Sequence, residues 1–151
     1  MKIICDILDK KNILYNWYVL GTSYKQEDFE EITGWFSDNK NVQFLGYKNN
    51  VYKYIKQMDY LALLTDREAW GLVITEALIL GVPCIVTKFE GVEKQIIDKE
   101  NGIILEMQNY NEEYERRIND IIELKDRLKE NVVSEDYNRE KIINIWTSLL
   151  N

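Results

Sequence analysis

The sequence contains no histidine in its 151 residues. A mechanism that depends on an imidazole base is therefore excluded for this chain, and so is a metal site built from imidazole ligands. Any chemistry must come from carboxylates, amines or backbone groups.

Cysteine and long apolar segments are also scarce. The two cysteines, Cys5 and Cys84, lie among aliphatic residues, where a free thiol behaves as a small hydrophobic group. No apolar run approaches the roughly 18 residues of a membrane span, and the first residues lack the apolar stretch and cleavage site of a signal peptide. We therefore expect a soluble, cytoplasmic protein with reduced cysteines. Peripheral association with the inner face of the cell membrane stays open.

Basic residues are outnumbered by acidic ones, 19 against 26, which gives a net charge of −7. Such a charge repels a phosphate backbone over most of the molecule, so nucleic acid is excluded as an expected partner. The length is that of one domain, for which about 150 residues is typical, and 46% hydrophobic residues is an ordinary globular composition. We predict a single domain over residues 1–151.

Short apolar segments rich in β-branched and aromatic residues alternate with segments of helical period, which is typical of βαβ units around a parallel sheet. The predicted fold is α/β, with a parallel sheet covered by helices on both faces. The predicted strands are Tyr15 to Leu20, Val42 to Leu45, Tyr60 to Leu64, Cys84 to Thr87 and Gly102 to Leu105.

The first residues predict a helix rather than a strand, because Ile3, Ile4, Ile7 and Leu8 recur at helical spacing. Further helix starts are predicted where short polar residues can cap a helix. These are Ser23 with Gln26, Asn49 or Asn50, and Ser134; the last predicted helix carries Ile142, Trp146, Leu149 and Leu150.

The segment Thr65 to Thr87 contains a carboxylate in an unexpected place. The helix predicted from Gly71 to Leu80 is apolar on nearly every side, which predicts burial, yet Glu76 lies in its apolar stripe. A buried carboxylate requires strong hydrogen-bond donors. Two ligand hydroxyls and a basic side chain distant in sequence both remain open as its partner.

The start of this helix, at Trp70, Gly71 and Leu72, is expected to present free backbone N–H groups and the positive end of the helix dipole, which together favour an anion. The tilt of helical side chains directs Glu76 toward this end, at the mouth of the preceding strand, where open α/β sheets bind ligands. For Glu68 a structural role is equally open, since Thr65 and Glu68 have capping-box spacing.

The same segment resembles the E-x7-E signature of family-four retaining glycosyltransferases, with Glu68 and Glu76 as the two glutamates. The run EAWGLVITEALILGVPCIVT is similar to that family's E-G-F-G-L-x-x-x-E-A-x-x-x-G-x-P-V-V-A-T. VQFLGY and ENG also resemble family segments, so the similarity covers roughly Asn16 to Leu105. The resemblance implies the nucleotide-sugar-binding, Rossmann-like half of a two-domain GT-B enzyme.

By this resemblance, Glu68 contacts the donor sugar as the catalytic carboxylate, and Glu76 accepts hydrogen bonds from the ribose hydroxyls. The amides near Gly71 and Leu72, beside Trp70, hold the diphosphate. The resemblance also implies that the turn at Gly46 and Tyr47 approaches the base. The family's proposed front-face reaction uses the leaving diphosphate to take the acceptor's proton, which implies neither metal nor cofactor, only a nucleoside-diphosphate sugar, in bacterial polysaccharide synthesis.

The sequence departs from the family pattern at several points. Trp70 stands where phenylalanine is common, and Lys94 stands where a glutamate is usual, so no ligand contact is predicted from the loop Gly91 to Ile97. The family's diphosphate-binding Arg and Lys follow the first strand of this domain, and the sequence starts downstream of that segment. We therefore expect the chain alone to be inactive without an N-terminal acceptor domain.

The strand order 3-2-1-4-5-6 of this architecture would leave a gap where the first strand belongs, between Tyr15 to Leu20 and Tyr60 to Leu64. The exposed strand edges predict self-association, so a homo-oligomer is an expected form. The alternative function is a stand-alone Rossmann-like binding or assembly domain without turnover. A sugar-nucleotide epimerase is disfavoured by the E-x7-E match.

Overall fold

The computed structural model describes residues 1–21, 26–106 and 112–132. The predicted helix starts at Ser23 and Ser134 lie outside these residues, as does the predicted last helix. The chain divides into two compact units, Met1–Val51 and Tyr52–Asn151. A single domain over the whole sequence stays a prediction.

The described residues of the first unit form two helices and two strands. They are α1 (Lys2–Lys10), β1 (Trp17–Leu20), α2 (Gln26–Gly34) and β2 (Val42–Gly46). The opening helix confirms the prediction from helical spacing. β1 and β2 are parallel, with Trp17 opposite Val42.

The core of this unit is a cluster of buried apolar side chains around Cys5, Phe36 and Val42. At its margin Asn39 donates a hydrogen bond from Nδ2 to the Tyr15 hydroxyl at 2.9 Å. Burial raises the pKa of Tyr15 to about 12 and also raises the pKa of the Cys5 thiol. Cys5 is therefore an inert core thiol, as its aliphatic neighbours in sequence predict.

The second unit contains a three-stranded parallel sheet of order β3-β4-β5. Its elements are α3 (Tyr52–Ile55), β3 (Leu61–Leu63), α4 (Leu72–Ile79), β4 (Cys84–Thr87), β5 (Gly102–Leu105), α5 (Glu112–Glu123) and α6 (Lys125–Val132), with a short 3-10 helix, Val92–Lys94, between β4 and β5. Every residue of β4 and β5 is buried. These two strands have the predicted bounds, because a continuous apolar run marks a strand covered on both faces.

Helix α4 departs from its predicted burial. Ile74, Ala77 and Leu78 are buried on the side that packs on β3 and β4, but Leu72 is 70% exposed and Ile79 is 36% exposed. The prediction that this helix is buried on nearly every side is therefore wrong for the described structure. A helix laid on a sheet buries one face, and composition alone does not show which apolar residues lie on the other.

Both strands β1 and β3 lie at an edge of their sheets. The strand order across the two sheets, and with it the predicted gap, stays a prediction. Among the helices of the described residues, none is long and apolar enough to cross a membrane.

Candidate functional site

The site is built around the loop Thr65 to Gly71, called the site loop below, which follows β3 and leads into α4. Its first residue is fastened to the neighbouring strand by Thr87, the buried last residue of β4. The Thr87 hydroxyl accepts a hydrogen bond from the Thr65 N–H at 2.9 Å and donates one to the Thr65 carbonyl at 2.6 Å. The loop therefore starts from a fixed point at the carboxyl ends of two parallel strands.

Glu68 bonds to the backbone of its own loop. Its Oε1 accepts hydrogen bonds from the N–H of Ala69 at 2.9 Å and of Trp70 at 3.3 Å. Hydrogen bonds from the amides of Ala69, Gly71 and Trp70 hold the pKa of the Glu68 carboxyl below its ordinary value. The carboxylate is thus ionised at neutral pH and accepts hydrogen bonds from the amides that follow it in the site loop.

The alternative of a capping box at Thr65 and Glu68 does not describe this arrangement. No helix begins at Thr65, because α4 begins at Leu72, and the Thr65 hydroxyl instead donates to the Arg67 carbonyl at 2.8 Å. Glu68 still has a role in closing the backbone, but it closes the site loop rather than a helix end. Its predicted contact with a donor sugar stays a prediction.

Gly71 joins the site loop to α4 in the left-handed conformation, with φ of 69° and ψ of 58°. A Cβ on this residue would lie 3.0 Å from Cδ1 of Ile74 and 3.1 Å from Cδ2 of Leu63. Glycine is therefore required both by backbone conformation and by close packing. The Gly71 carbonyl accepts the Ile74 N–H at 2.8 Å. The N–H of Leu72, at the first position of α4, has no acceptor within the helix.

Glu76 is half-buried on α4. The hydroxyl of Tyr52, the first residue of α3, donates to its Oε1 at 3.4 Å. The predicted full burial is therefore wrong, for the same reason that α4 as a whole is less buried. The predicted alternative of a distant basic partner is not found either, since no ion pair of the described residues involves Glu76. Within the described residues, the Glu76 carboxylate therefore accepts a hydrogen bond from a neutral hydroxyl rather than from a basic side chain.

Tyr52 was not identified from the sequence. Tyr52 and Glu76 are 24 positions apart in the sequence. Nothing in the segment VYKYIKQM marks one of its aromatic residues as a partner of Glu76. Tyr52 is 50% exposed, Trp70 44% and Leu72 70%. The predicted residues Trp70 and Leu72 thus present apolar surface on the loop and helix that carry the two glutamates.

Gly46 and Tyr47 lie in the first compact unit, at the carboxyl end of β2. Tyr47 is 73% exposed, and the Gly46 carbonyl accepts the N–H of Gly21 at 3.0 Å. Their predicted approach to the base of a nucleotide stays a prediction.

Gln95 is a further polar residue that sequence reasoning missed. It is buried behind the site loop, where its Nε2 donates a hydrogen bond to the Trp70 carbonyl and its Oε1 accepts one from the Thr75 hydroxyl at 2.7 Å. The sequence offered no clear signal for it, because Gln95 follows the charged Glu93 and Lys94 in a polar segment and only precedes the apolar pair Ile96 and Ile97.

The parallel strands and their connecting helices define a Rossmann-like α/β protein. The polar site loop and the start of α4 lie at the carboxyl end of β3, which is where open α/β sheets bind ligands. The profile of the family described as Glycosyl transferases group 1 matches residues 5–139. The chain belongs to this family.

Two curated relatives extend over nearly all of the chain. An uncharacterized glycosyltransferase of Haemophilus influenzae is 28% identical over 153 residues, which cover 97% of this chain and 43% of the relative. The lipopolysaccharide core biosynthesis glycosyltransferase LpsE of Rhizobium meliloti is 24% identical over 144 residues, covering 91% of this chain and 42% of the relative. The chain thus spans less than half the length of these two relatives.

Solved structures have the same fold. A crystal structure of Anabaena HepE in complex with UDP and glucose has a TM-score of 0.74 at 19% identity, over 98% of this chain and 43% of that one. The predicted class, a Rossmann-like parallel α/β fold belonging to a GT-B glycosyltransferase, is confirmed.

Proposed function

We propose that this chain is the donor-binding domain of a retaining glycosyltransferase and holds a nucleoside-diphosphate sugar at the site loop and the first turns of α4. The observation that carries the proposal is the placement of Glu68 and Glu76, one on each side of the junction at Gly71. Membership of the group 1 family supports it, and HepE, with the same fold, is a protein whose structure holds UDP and glucose.

Glu76 suits the ribose of the donor. An ionised carboxylate offers acceptors only, so two vicinal hydroxyls can donate to its two oxygens. The hydroxyl of Tyr52 donates to Oε1, and this contact with a neutral donor supports the assignment of ligand hydroxyls to Glu76. The apolar surfaces of Trp70 and Leu72 would flank the nucleoside.

The diphosphate is placed at the start of α4. The first N–H groups of a helix lack intrahelical acceptors and lie at the positive end of the helix dipole, so Leu72 offers an anion site. Glu68 organises the amides that follow it in the site loop and directs its carboxylate to the sugar. A negative charge so close to the diphosphate must be directed at sugar hydroxyls, because it would repel phosphate oxygens.

The whole enzyme would transfer the sugar with retention of configuration. The similarity to LpsE, a lipopolysaccharide core biosynthesis glycosyltransferase, supports an acceptor that belongs to a bacterial surface polysaccharide. We expect the chain alone to show no sugar transfer and at most trace hydrolysis of the donor. Reacting groups must meet around one diphosphate, and this proposal assigns part of them to an N-terminal domain. Robust transfer to an added acceptor by the purified chain would refute this part.

Titration of the chain with UDP, GDP and ADP, and then with their sugar conjugates, tests the proposal. A ligand at a hundred times its dissociation constant should add ~2.7 kcal/mol to the free energy of unfolding. Stabilisation by one nucleotide and not by the others would support donor binding and identify the base. Absence of stabilisation by any of them would favour the alternative, a stand-alone binding or assembly domain without turnover.

A further inference from the structure

Gln95 lies at the end of the short 3-10 helix Val92–Lys94 and is only 7% exposed. Its backbone is fixed by the buried Asn101, which donates a hydrogen bond from Nδ2 to the Gln95 carbonyl at 3.0 Å. Its side chain reaches Trp70 with Nε2 and Thr75 with Oε1. A single amide therefore joins the segment after β4 to both the end of the site loop and α4.

The bond to Trp70 acts on the peptide that joins Trp70 to Gly71. A trans peptide is planar, with its carbonyl and its N–H pointing in opposite directions. A donor that holds the Trp70 carbonyl therefore also orients the Gly71 N–H. On the other side of the same residue, the Trp70 N–H is bonded to the Glu68 carboxylate at 3.3 Å.

Other contacts also restrict the conformation of the peptide between Trp70 and Gly71. Gly71 is in the left-handed region, and close packing against Ile74 and Leu63 leaves little room around it. The Thr87 bonds hold the beginning of the site loop, and Gln95 holds its end. Between these two fixed points, Glu68 gathers the loop amides.

We infer that Gln95 is a positioning residue for the donor site, which acts through the Trp70 carbonyl to set the direction of the Gly71 amide and, with it, the Glu68 carboxylate. This inference rests on the proposed function for its effect on ligand binding, but not for its effect on the loop. It adds a residue from the segment Gly91 to Ile97, for which the sequence predicts no ligand contact.

A role in stability alone is the competing explanation, since any buried amide that loses its partners destabilises a protein. Two variants separate the explanations. Gln95→Met removes both side-chain hydrogen bonds in a similar volume, whereas Thr75→Val removes the bond to Oε1 and leaves the donor to Trp70 in place. Thr75→Val is thus the matched control for lost buried hydrogen bonding. Gln95→Asn, which withdraws the amide by one methylene, replaces the Met variant if that variant does not fold.

The first readout needs no ligand. It is the pKa of Glu68, to be measured by NMR of the side-chain carboxyl carbon. Hydrogen bonds from the amides of Ala69, Gly71 and Trp70 hold this pKa below its ordinary value. We expect Gln95→Met to move this pKa toward its ordinary value of 4.5 and to speed amide exchange at Gly71, and Thr75→Val to leave both close to wild type. An unchanged Glu68 pKa and unchanged amide exchange in a folded Gln95→Met variant would overturn the inference.

The second readout is calorimetric titration with UDP, or with GDP or ADP if one of those is the nucleotide that binds. We expect Gln95→Met to weaken binding by roughly 3- to 10-fold, the worth of one hydrogen bond, and Thr75→Val to change it by less than about 2-fold. Equal weakening in both variants would overturn the inference. If wild type binds none of the three nucleotides, the proposed function fails, and the NMR comparison still decides whether Gln95 positions the loop.

Discussion

The hydroxyl of Tyr52 donates a hydrogen bond to Oε1 of Glu76 at 3.4 Å, joining the first residue of α3 to the middle of α4. The distance is long for an O–H···O bond, and both groups are partly open to solvent, so the contact is weak and easily exchanged for another donor. A ligand hydroxyl that binds Glu76 has to displace Tyr52 or share the carboxylate with it.

Glu76→Ala should weaken binding of the nucleotide by ~1.5–3 kcal/mol, which is the worth of hydrogen bonds to a charged group. The free energy of unfolding should change by no more than ~0.5 kcal/mol, because the side chain is half-buried and its described contact is with an exposed hydroxyl. Calorimetric titration with UDP, GDP or ADP measures the first quantity and urea unfolding the second.

Tyr52→Phe is the control for this experiment, because it removes the same hydrogen bond and keeps the carboxylate. Its effect on affinity should be smaller than that of Glu76→Ala. If the two variants weaken binding equally, the tyrosine hydroxyl rather than the carboxylate contacts the nucleotide. Unchanged affinity in Glu76→Ala would show that Glu76 does not bind the ribose.

Gly71→Ala should destabilise the second unit by ~2–5 kcal/mol. Left-handed backbone costs an alanine ~1–2 kcal/mol, and the new Cβ would meet Ile74 and Leu63 at 3.0 and 3.1 Å, adding ~1–3 kcal/mol for overpacking. The control is Gly91→Ala, with φ of 88° but no heavy atom within 4 Å of the added Cβ. Urea unfolding of both variants tests the packing term: equal losses of stability would mean that the site loop moves aside without cost.

Glu68→Gln should remove a pH-dependent part of the stability. The folded pKa of Glu68 is held below its ordinary value of 4.5 by loop amides, so its contribution is present above pH 4.5 and is lost as the pH falls through the folded pKa. The difference in unfolding free energy between wild type and Glu68→Gln should therefore be constant near neutral pH and shrink in acid. A difference that stays constant down to the acid limit of folding would show that the loop amides do not bind the ionised form.

The chain should self-associate at high concentration, because within the described residues β1 and β3 are edge strands that have a partner strand on one side only. A lysine on an edge strand opposes such pairing, so Ala62→Lys in β3 should lower the average mass measured by light scattering. Asn119→Lys, on the exposed side of α5, adds the same charge away from the sheet and should not. A monodisperse wild-type monomer across the concentration series would contradict the prediction.

The local sequence pattern was sufficient to predict several of the helices and strands. Continuous β-branched residues predicted β4 and β5 with their bounds, and helical spacing of isoleucines predicted that the chain opens with α1. Motif spacing placed Glu68 in the loop after β3 and Glu76 on the following helix. These features depend on residues within one or two turns of each other, and such neighbours are determined by backbone geometry alone.

Contacts between elements were decided by tertiary structure. Tyr52 reaches Glu76 across 24 positions, Thr87 reaches Thr65 across 22, and Gln95 reaches Trp70 across 25. No periodicity relates residues so far apart, because their meeting depends on how helices pack on the sheet and how loops return to it. The same reason explains the exposed side of α4: its sequence determined an apolar helix, and only packing on β3 and β4 determined which of its faces is buried and left Glu76 half-exposed.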